Sequence, residues 1–452
     1  MKKIKNPSVA GTFYPATKEE LISLLDNFKS KNTQDYIVTS RAIIAPHAGY
    51  VYSGQLASNC FQYLNKNIDT VFIIAPSHKV QTNGVVIPSH DKWVTPIDEI
   101  EINKEICEEL INEFDVKYMD EAFDEEHSAE VQIPFIQYYT EAFNIVPILV
   151  NSNSKDTLVK IIEKYWQDKH CAFVISSDLS HYLPLKDAEV VDNLTANMIE
   201  GNEIKNFNPQ QACGFSGICA LTEFTKKNDY SLIRVGLTNS SLQNNDIQKV
   251  VGYGAWFLHE GSKAQFIKNN FPDLILALCK RSIYLGLEDN NKNILVDVND
   301  IPPVLREQGS SFVTLEIDNK LRGCIGSIIA HQPLFVDLMQ NANKSAFKDS
   351  RFAPLTKEEY EKTTISVSLL SAPQKIAFTD EANLLSQLKP NIDGLIIKDG
   401  NNQAVYLPSV WEQIPDRIDF LNSLKIKAGL APNHFSNTFE AYSFTTYYIT
   451  NK

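Results

Sequence analysis

Nowhere in this sequence do about 18 apolar residues run together, so no stretch reads as a membrane-spanning helix. The basic opening Met1-Lys2-Lys3-Ile4-Lys5-Asn6-Pro7 is not followed by the apolar core of a signal peptide, and a soluble cytoplasmic protein is expected. Cysteine is scarce: seven residues, an odd number, lie scattered without short paired spacing. That excludes a disulfide framework and a zinc ribbon, and leaves free thiols. Positive charge is also in deficit, with 42 basic against 55 acidic residues and a net charge of −13, which argues against nucleic acid as a partner. Low-complexity segments and repeats of solenoid period are absent. What is present, 43 per cent apolar and 21 per cent charged residues, describes a folded globular chain.

A length of 452 residues implies two or more domains, each able to bury a core. Up to about residue 260, apolar runs at 42–45, 70–75, 144–150, 172–176 and 250–258 alternate with helical stretches, among them 18–28, 102–114 and 157–168. Strands alternating with amphipathic helices predict an α/β domain with a mostly parallel central sheet flanked by helices. After Gly261-Ser262 the character changes. Residues 264–285 read as one helix, and 311–317, 365–370, 394–398 and 403–407 read as strands, the last two joined by an Asp399-Gly400 turn. A smaller α+β domain is expected there, which places the division at 1–261 and 262–452.

Two segments echo each other. Ile43-Ile44-Ala45-Pro46-His47 and Ile73-Ile74-Ala75-Pro76-Ser77-His78 both run from a strand through a proline into a histidine. Proline cannot continue a buried strand, so each histidine emerges where a strand ends, the edge at which open α/β sheets bind ligands. If the two strands are neighbours, the imidazoles converge. Neutral imidazoles suit iron, zinc and copper, and two of them leave a metal short of at least one further ligand. Three later segments can supply it: Asp124-Glu125-Glu126-His127-Ser128-Ala129-Glu130, Ser176-Ser177-Asp178-Leu179-Ser180-His181-Tyr182 and Ala212-Cys213-Gly214-Phe215. Asp178 and His181 are three apart, as are His127 and Glu130, a spacing that shares one face if a helix starts there. Taken singly, each has a plainer reading: Asp178 as a helix cap, Cys213 as a buried thiol. The set is more telling, because four of nine histidines fall at element ends, whereas His90, His170, His259, His331 and His434 have no such setting.

In this order, "VAGTFYP" at 9–15, "IAPHAGYVYSG", "APSH", "DEEHSAEVQIPF", "SSDLSHY" and "CGFSGI" resemble the MEMO family, related in fold to LigB-like class III extradiol dioxygenases, over nearly all of residues 5–260. The resemblance implies metal ligands at His47, His78 and Cys213 and a pocket histidine at His181. On that reading the cofactor is Fe(II), with copper as the alternative. His181 acts as general acid/base oriented by Asp178, and Glu130 fixes a ligand histidine through its second nitrogen. His127 and Tyr50 belong to the pocket, His127 either as a second base or as its wall. A thiolate in place of the dioxygenases' carboxylate means that ring cleavage does not follow; metal-dependent redox chemistry or metal handling is the wider expectation.

Beyond residue 262, "LRGCIGS" at 321–327, "DSRFAPL", "ISVSLLSAP" and "GLIIKDG" resemble the AMMECR1 domain, over about 264–448. Two glycines flank Cys324, allowing close approach, and Arg322 can lower the thiol pKa by curling over it. Either Cys324 is a nucleophile or redox thiol, or Arg322, Arg351 and Trp411 line a groove for a peptide or anion, with binding slightly preferred. Families of these two kinds accompany a radical-SAM protein, the AmmeMemoRadiSam system, which implies a separate iron–sulfur partner, because the sequence has no Cys-x₃-Cys-x₂-Cys motif. Three functions thus compete: a metal-dependent oxidoreductase acting on an unknown small molecule or peptide, a peptide-binding adaptor, and a metal-dependent hydrolase.

Overall fold

Runs of consecutive Val, Ile and Ala make strands whose two faces must both be covered, since successive side chains point to opposite sides. The computed structural model, which describes residues 2–32, 36, 38–142, 144–151, 154–288 and 297–450, is built on such strands. Met1–Gly261 and Ser262–Lys452 form separate units.

In the first unit the strands are β1 (Ile4–Lys5), β2 (Ala42–Ala45), β3 (Thr70–Pro76), β4 (Val85–Ile87), β5 (Lys92–Val94), β6 (Glu99–Ile102), β7 (Val116–Tyr118), β8 (Asn144–Val150), β9 (Cys171–Ser176), β10 (Ser231–Asn239) and β11 (Gly252–His259). They form one sheet in the order β1-β5-β6-β8-β3-β9-β2-β11-β10, with β4 and β7 branching from β8. The run β6-β8-β3-β9-β2 is parallel throughout, and β11 and β10 continue it antiparallel. Every residue of β2, β3 and β9 is buried, so helices cover both faces of the centre. Those helices are α1 (Lys18–Ser30), α2 (Tyr50–Phe61), α3 (Lys104–Glu113), α4 (Ile133–Tyr139), α5 (Lys155–Tyr165), α6 (Leu185–Glu200) and α7 (Phe215–Asn228).

One detail differs from the sequence expectation. The two Ile-Ile-Ala-Pro strands, β2 and β3, are not neighbours, because β9 is inserted between them. Their histidines nevertheless meet. All three strands run the same way, and the chain leaves each of them at one edge of the sheet.

Among the described residues, the second unit has two four-stranded sheets. The first contains β12 (Ser311–Ile317), β13 (Lys320–Gly326), β14 (Thr364–Leu370) and β19 (Thr446–Thr450), in the order β13-β12-β14-β19; the second contains β15 (Gln374–Lys375), β16 (Gly394–Asp399), β17 (Asn402–Tyr406) and β18 (Glu440–Phe444), in the order β15-β18-β16-β17. All pairings in these sheets are antiparallel. The β12–β13 hairpin turns through Asp318 and Asn319 at φ of +51° and +58°, the left-handed pair that a two-residue hairpin needs. The single helix expected over 264–285 is two, α8 (Lys263–Asn270) and α9 (Pro272–Glu288), because Pro272 has no N–H to carry the hydrogen-bond ladder across. Helix α10 (Leu334–Phe347) packs on β12 and β13, and α11 (Arg417–Lys427) on β17.

Candidate functional site

His47, His78 and Asp178 each stand two residues beyond the end of a parallel strand, on β2, β3 and β9 respectively. The imidazoles of His47 and His78 lie 5.3 Å apart between centroids, and His127 stacks on His78 at 4.9 Å. One nitrogen from each of His47, His78 and His127 lies within 4.8 Å of the others, an arrangement that can hold a metal ion. Cys213, in the turn before α7, sets its sulfur 3.3 Å from Nε2 of His47. A cleft of about 650 Å³, lined in part by Asn151, Lys155, Pro209 and Phe215, opens onto Cys213.

Hydrogen bonds fix how the two strand-end histidines are presented. The Ser176 hydroxyl has one proton, which it donates to the Ser128 carbonyl at 2.6 Å, so it accepts from Nδ1 of His47 at 2.9 Å. Nε2 of His47 therefore carries a lone pair and faces Cys213. His78 follows the same logic, since Nδ1 lies 2.9 Å from a Glu126 carboxylate oxygen, which can only accept. Glu126 also accepts from the backbone N–H groups of His78 and Ser128. Burial alone would raise the Glu126 pKa, but these bonds hold it down at about 2. Gln132 braces Ser176 and the Pro46 carbonyl.

The electrostatics favour neutral imidazoles at His47, His127 and His181 and a protonated thiol. Burial first, then the proximity of His127, His78 and His181, drives the His47 pKa well down. Burial likewise lowers His127 and His181, with the Leu179 carbonyl opposing it at His181. The Cys213 thiol is pushed up by burial and by Asp178, and burial raises Asp178 itself to about 7. The three imidazoles, two of them oriented from behind by a hydroxyl and a carboxylate, fit a transition ion, and a soft sulfur lies beside one of them, His47.

Several sequence assignments are corrected. Glu130 does not reach a histidine. Its carboxylate accepts from Lys5, from the Ser8 N–H and hydroxyl, from the Val9 N–H and from the Tyr14 hydroxyl, pinning the amino-terminal segment. Glu126 takes the role expected of it, and a carboxylate directly before His127 is the signal that could have shown this. Asp178 does not orient His181, because residues 177–181 are irregular rather than helical and the spacing of three loses its meaning. Instead Asp178 accepts from the His47 N–H at 2.8 Å, while its own N–H points to the Cys213 sulfur at 3.2 Å. Tyr50 donates to the Val131 carbonyl and packs among Tyr14, Phe28 and Phe135, behind the site. His127 is wall and ligand candidate at once, with Phe13 packed on it at 4.7 Å.

In the second unit, Arg322 does not curl over Cys324. Its guanidinium grips the Glu359 carboxylate with two hydrogen bonds, and Arg351 is the arginine beside the thiol, bonded to Asp349 and to the Cys324 carbonyl. Trp411 lines no groove, being buried and stacked on Phe420 at 3.6 Å. The glycines around Cys324 serve packing: a β-carbon on Gly323 would fall 2.1 Å from the Ser345 carbonyl oxygen of α10, and one on Gly326 would fall 2.2 Å from the Phe312 ring. Gly323→Ala is accordingly expected to destabilise the second unit by about 3 kcal/mol, the upper end of the usual cost of overpacking, read as a lowered denaturant midpoint, because overpacking against backbone has no side-chain relief.

The first unit is thus an α/β protein that gathers imidazoles and a thiol at the carboxyl edge of a parallel sheet. Residues 5–257 match the family model described as Memo-like protein, and the chain belongs to that family; residues 276–449 match the AMMECR1 model. Among similar proteins are MEMO1 family protein Ta0237 of Thermoplasma acidophilum, 33% identical over 261 residues (56% of this chain, 97% of that protein), and TV1383 of Thermoplasma volcanium, 32% identical over 263 residues (56% and 97%). A MEMO1 family protein of Archaeoglobus fulgidus is 30% identical over 264 residues (55% and 97%). Among solved structures, uncharacterized protein PH0010 of Pyrococcus horikoshii is 32% identical, with a TM-score of 0.36 covering 39% of this chain and 89% of that one.

Proposed function

We propose that the first unit is a metal-dependent redox protein of dioxygenase-like type, in which His47, His78 and Cys213 hold Fe(II), copper being the competing ion. The observation that carries this reading is how the two rings are held: Ser176 and Glu126 occupy Nδ1 of His47 and His78 and leave Nε2 as the atom each ring presents, one of them beside a sulfur. When bound, such an ion supplies Lewis-acid and electron-transfer chemistry at a position left open for substrate. His181, half-buried beside the cluster, exchanges a proton with the substrate through its ring. Cys213 is protonated while the site is empty and releases that proton when a cation binds, so metal affinity rises with pH. We assign the second unit to recognition rather than catalysis, because both arginines near Cys324 are committed to carboxylates and both glycines to packing. A separate radical-SAM protein is the proposed partner.

Cobalt(II) substitution tests the thiolate. The Co(II)-loaded protein is expected to show a sulfur-to-cobalt charge-transfer band, absent from Cys213→Ser. A band that survives the substitution, or a parent protein that has none, overturns the assignment of Cys213.

A further inference from the structure

His127 comes from no strand end, yet its ring is fixed as firmly as those of the two strand-end histidines. It lies in the loop ahead of α4, with its side chain 19% exposed. Two rings hold it in place: Phe13 packs on it at 4.7 Å, and His78 stacks on it at 4.9 Å with the two planes only 20° apart. Behind this stack stands one carboxylate. Oε1 of Glu126 lies 2.9 Å from Nδ1 of His78 and 3.3 Å from Nδ1 of His127, so a single oxygen serves the same atom of two nearly parallel rings. Nε2 of each ring is turned away from it. Among the described residues neither of these Nε2 atoms has a hydrogen-bond partner, and a polar nitrogen taken out of water without one costs free energy that a ligand bond recovers.

The third ring closes the figure. His47 stands across both others, at 75° to His78 and 84° to His127, with centroids 5.3 and 5.5 Å away. Separations of 4.9, 5.3 and 5.5 Å are nearly equal, so the three imidazoles surround one point instead of lying in a row. The donors that meet within 4.8 Å include His127 and leave out Cys213, whose sulfur sits at the His47 corner.

We infer that His127 is a metal ligand, the third imidazole of the set: His47, His78 and His127 together hold the ion, the Cys213 sulfur joins at the His47 corner, and Glu126 orients two ligands at once. The inference rests on the proposed function in treating this cluster as a metal centre. A wall residue needs only a ring of the right size, whereas a ligand needs the nitrogen that Glu126 leaves facing inward.

Zinc(II), which has no redox chemistry of its own, is the probe, added to the full chain with oxygen excluded. X-ray absorption of the zinc-loaded parent is expected to show three imidazoles and one sulfur around the ion. His127→Phe keeps a ring against Phe13 and His78 but offers no donor. It should show two imidazoles and bind zinc at least about 100-fold more weakly, beyond what the loss of an orienting group alone costs. A parent with two imidazoles, or a His127→Phe protein with parent affinity, overturns the inference. Because the first count is made on the unaltered chain, it stays decisive even if the variant folds poorly. The sulfur count separates the two claims: three imidazoles without sulfur refute the Cys213 ligand of the proposed function and leave His127 in its role, and two imidazoles with sulfur do the reverse.

Discussion

A His47→Ala protein, purified without oxygen and offered Fe(II) or Cu(I), is expected to bind either ion at least about 100-fold more weakly than the parent. Removing a group that only orients a ligand already costs about 10- to 100-fold in affinity. His47 loses more than orientation. Its Nε2 lies 3.3 Å from the Cys213 sulfur, so alanine removes one donor and leaves the other without its neighbour. Ser176→Ala provides the graded companion: with no hydroxyl to accept from Nδ1, the His47 ring is free to change tautomer, and affinity should fall about 10-fold while every ligand remains. Elemental analysis after dialysis against a chelator of known affinity reads both. Equal metal retention in parent and His47→Ala would refute the site, and a Ser176→Ala protein indistinguishable from the parent would refute the tautomer argument alone.

The meeting of His47 and His78 was legible in the sequence, because strand-ending prolines mark where histidines leave a parallel sheet, whereas Cys213 stood out only through the family resemblance and His127 was read as a base or wall. The insertion of β9 between β2 and β3 was not, since strand order depends on crossovers rather than on any local signal. The partners behind the ligands were only half legible. His78 and Glu126 are 48 residues apart, and His47 and Ser176 are 129 apart, so only the folded sheet brings them into contact. Glu130 was misread because spacing along an assumed helix said nothing about the amino-terminal segment that folds over it. In the second unit the same limit applies: a glycine pair beside a cysteine looks like a ligand cradle until α10 and Phe312 are found against it.

Glu130→Gln is expected to destabilise the first unit by about 3–5 kcal/mol, the range for breaking one side of a buried ion pair. The carboxylate is 1% exposed and Lys5, its partner at 2.9 Å, is 5% exposed. Its two oxygens also accept from Ser8, Val9 and Tyr14, and an amide can neither carry the charge nor accept at both ends. Lys5 would be left as a buried, uncompensated cation. For a unit of this size the loss corresponds to a melting temperature lower by roughly 10 °C. The consequence reaches the site, because the pinned segment carries Phe13, whose ring packs on His127 and whose carbonyl accepts from the Tyr50 N–H at 2.7 Å. The pH dependence gives an independent check. Burial would raise the Glu130 pKa, but Lys5 and the hydrogen bonds lower it below its unfolded value of about 4.3. A carboxylate depressed by folding stabilises fully above its unfolded pKa, and that contribution is lost as pH falls through the folded value. Parent and variant should therefore differ by the full amount at neutral pH and converge on acidification below pH 4.3. A gap that stays constant across that window would mean that the charge of Glu130 is not what holds the segment.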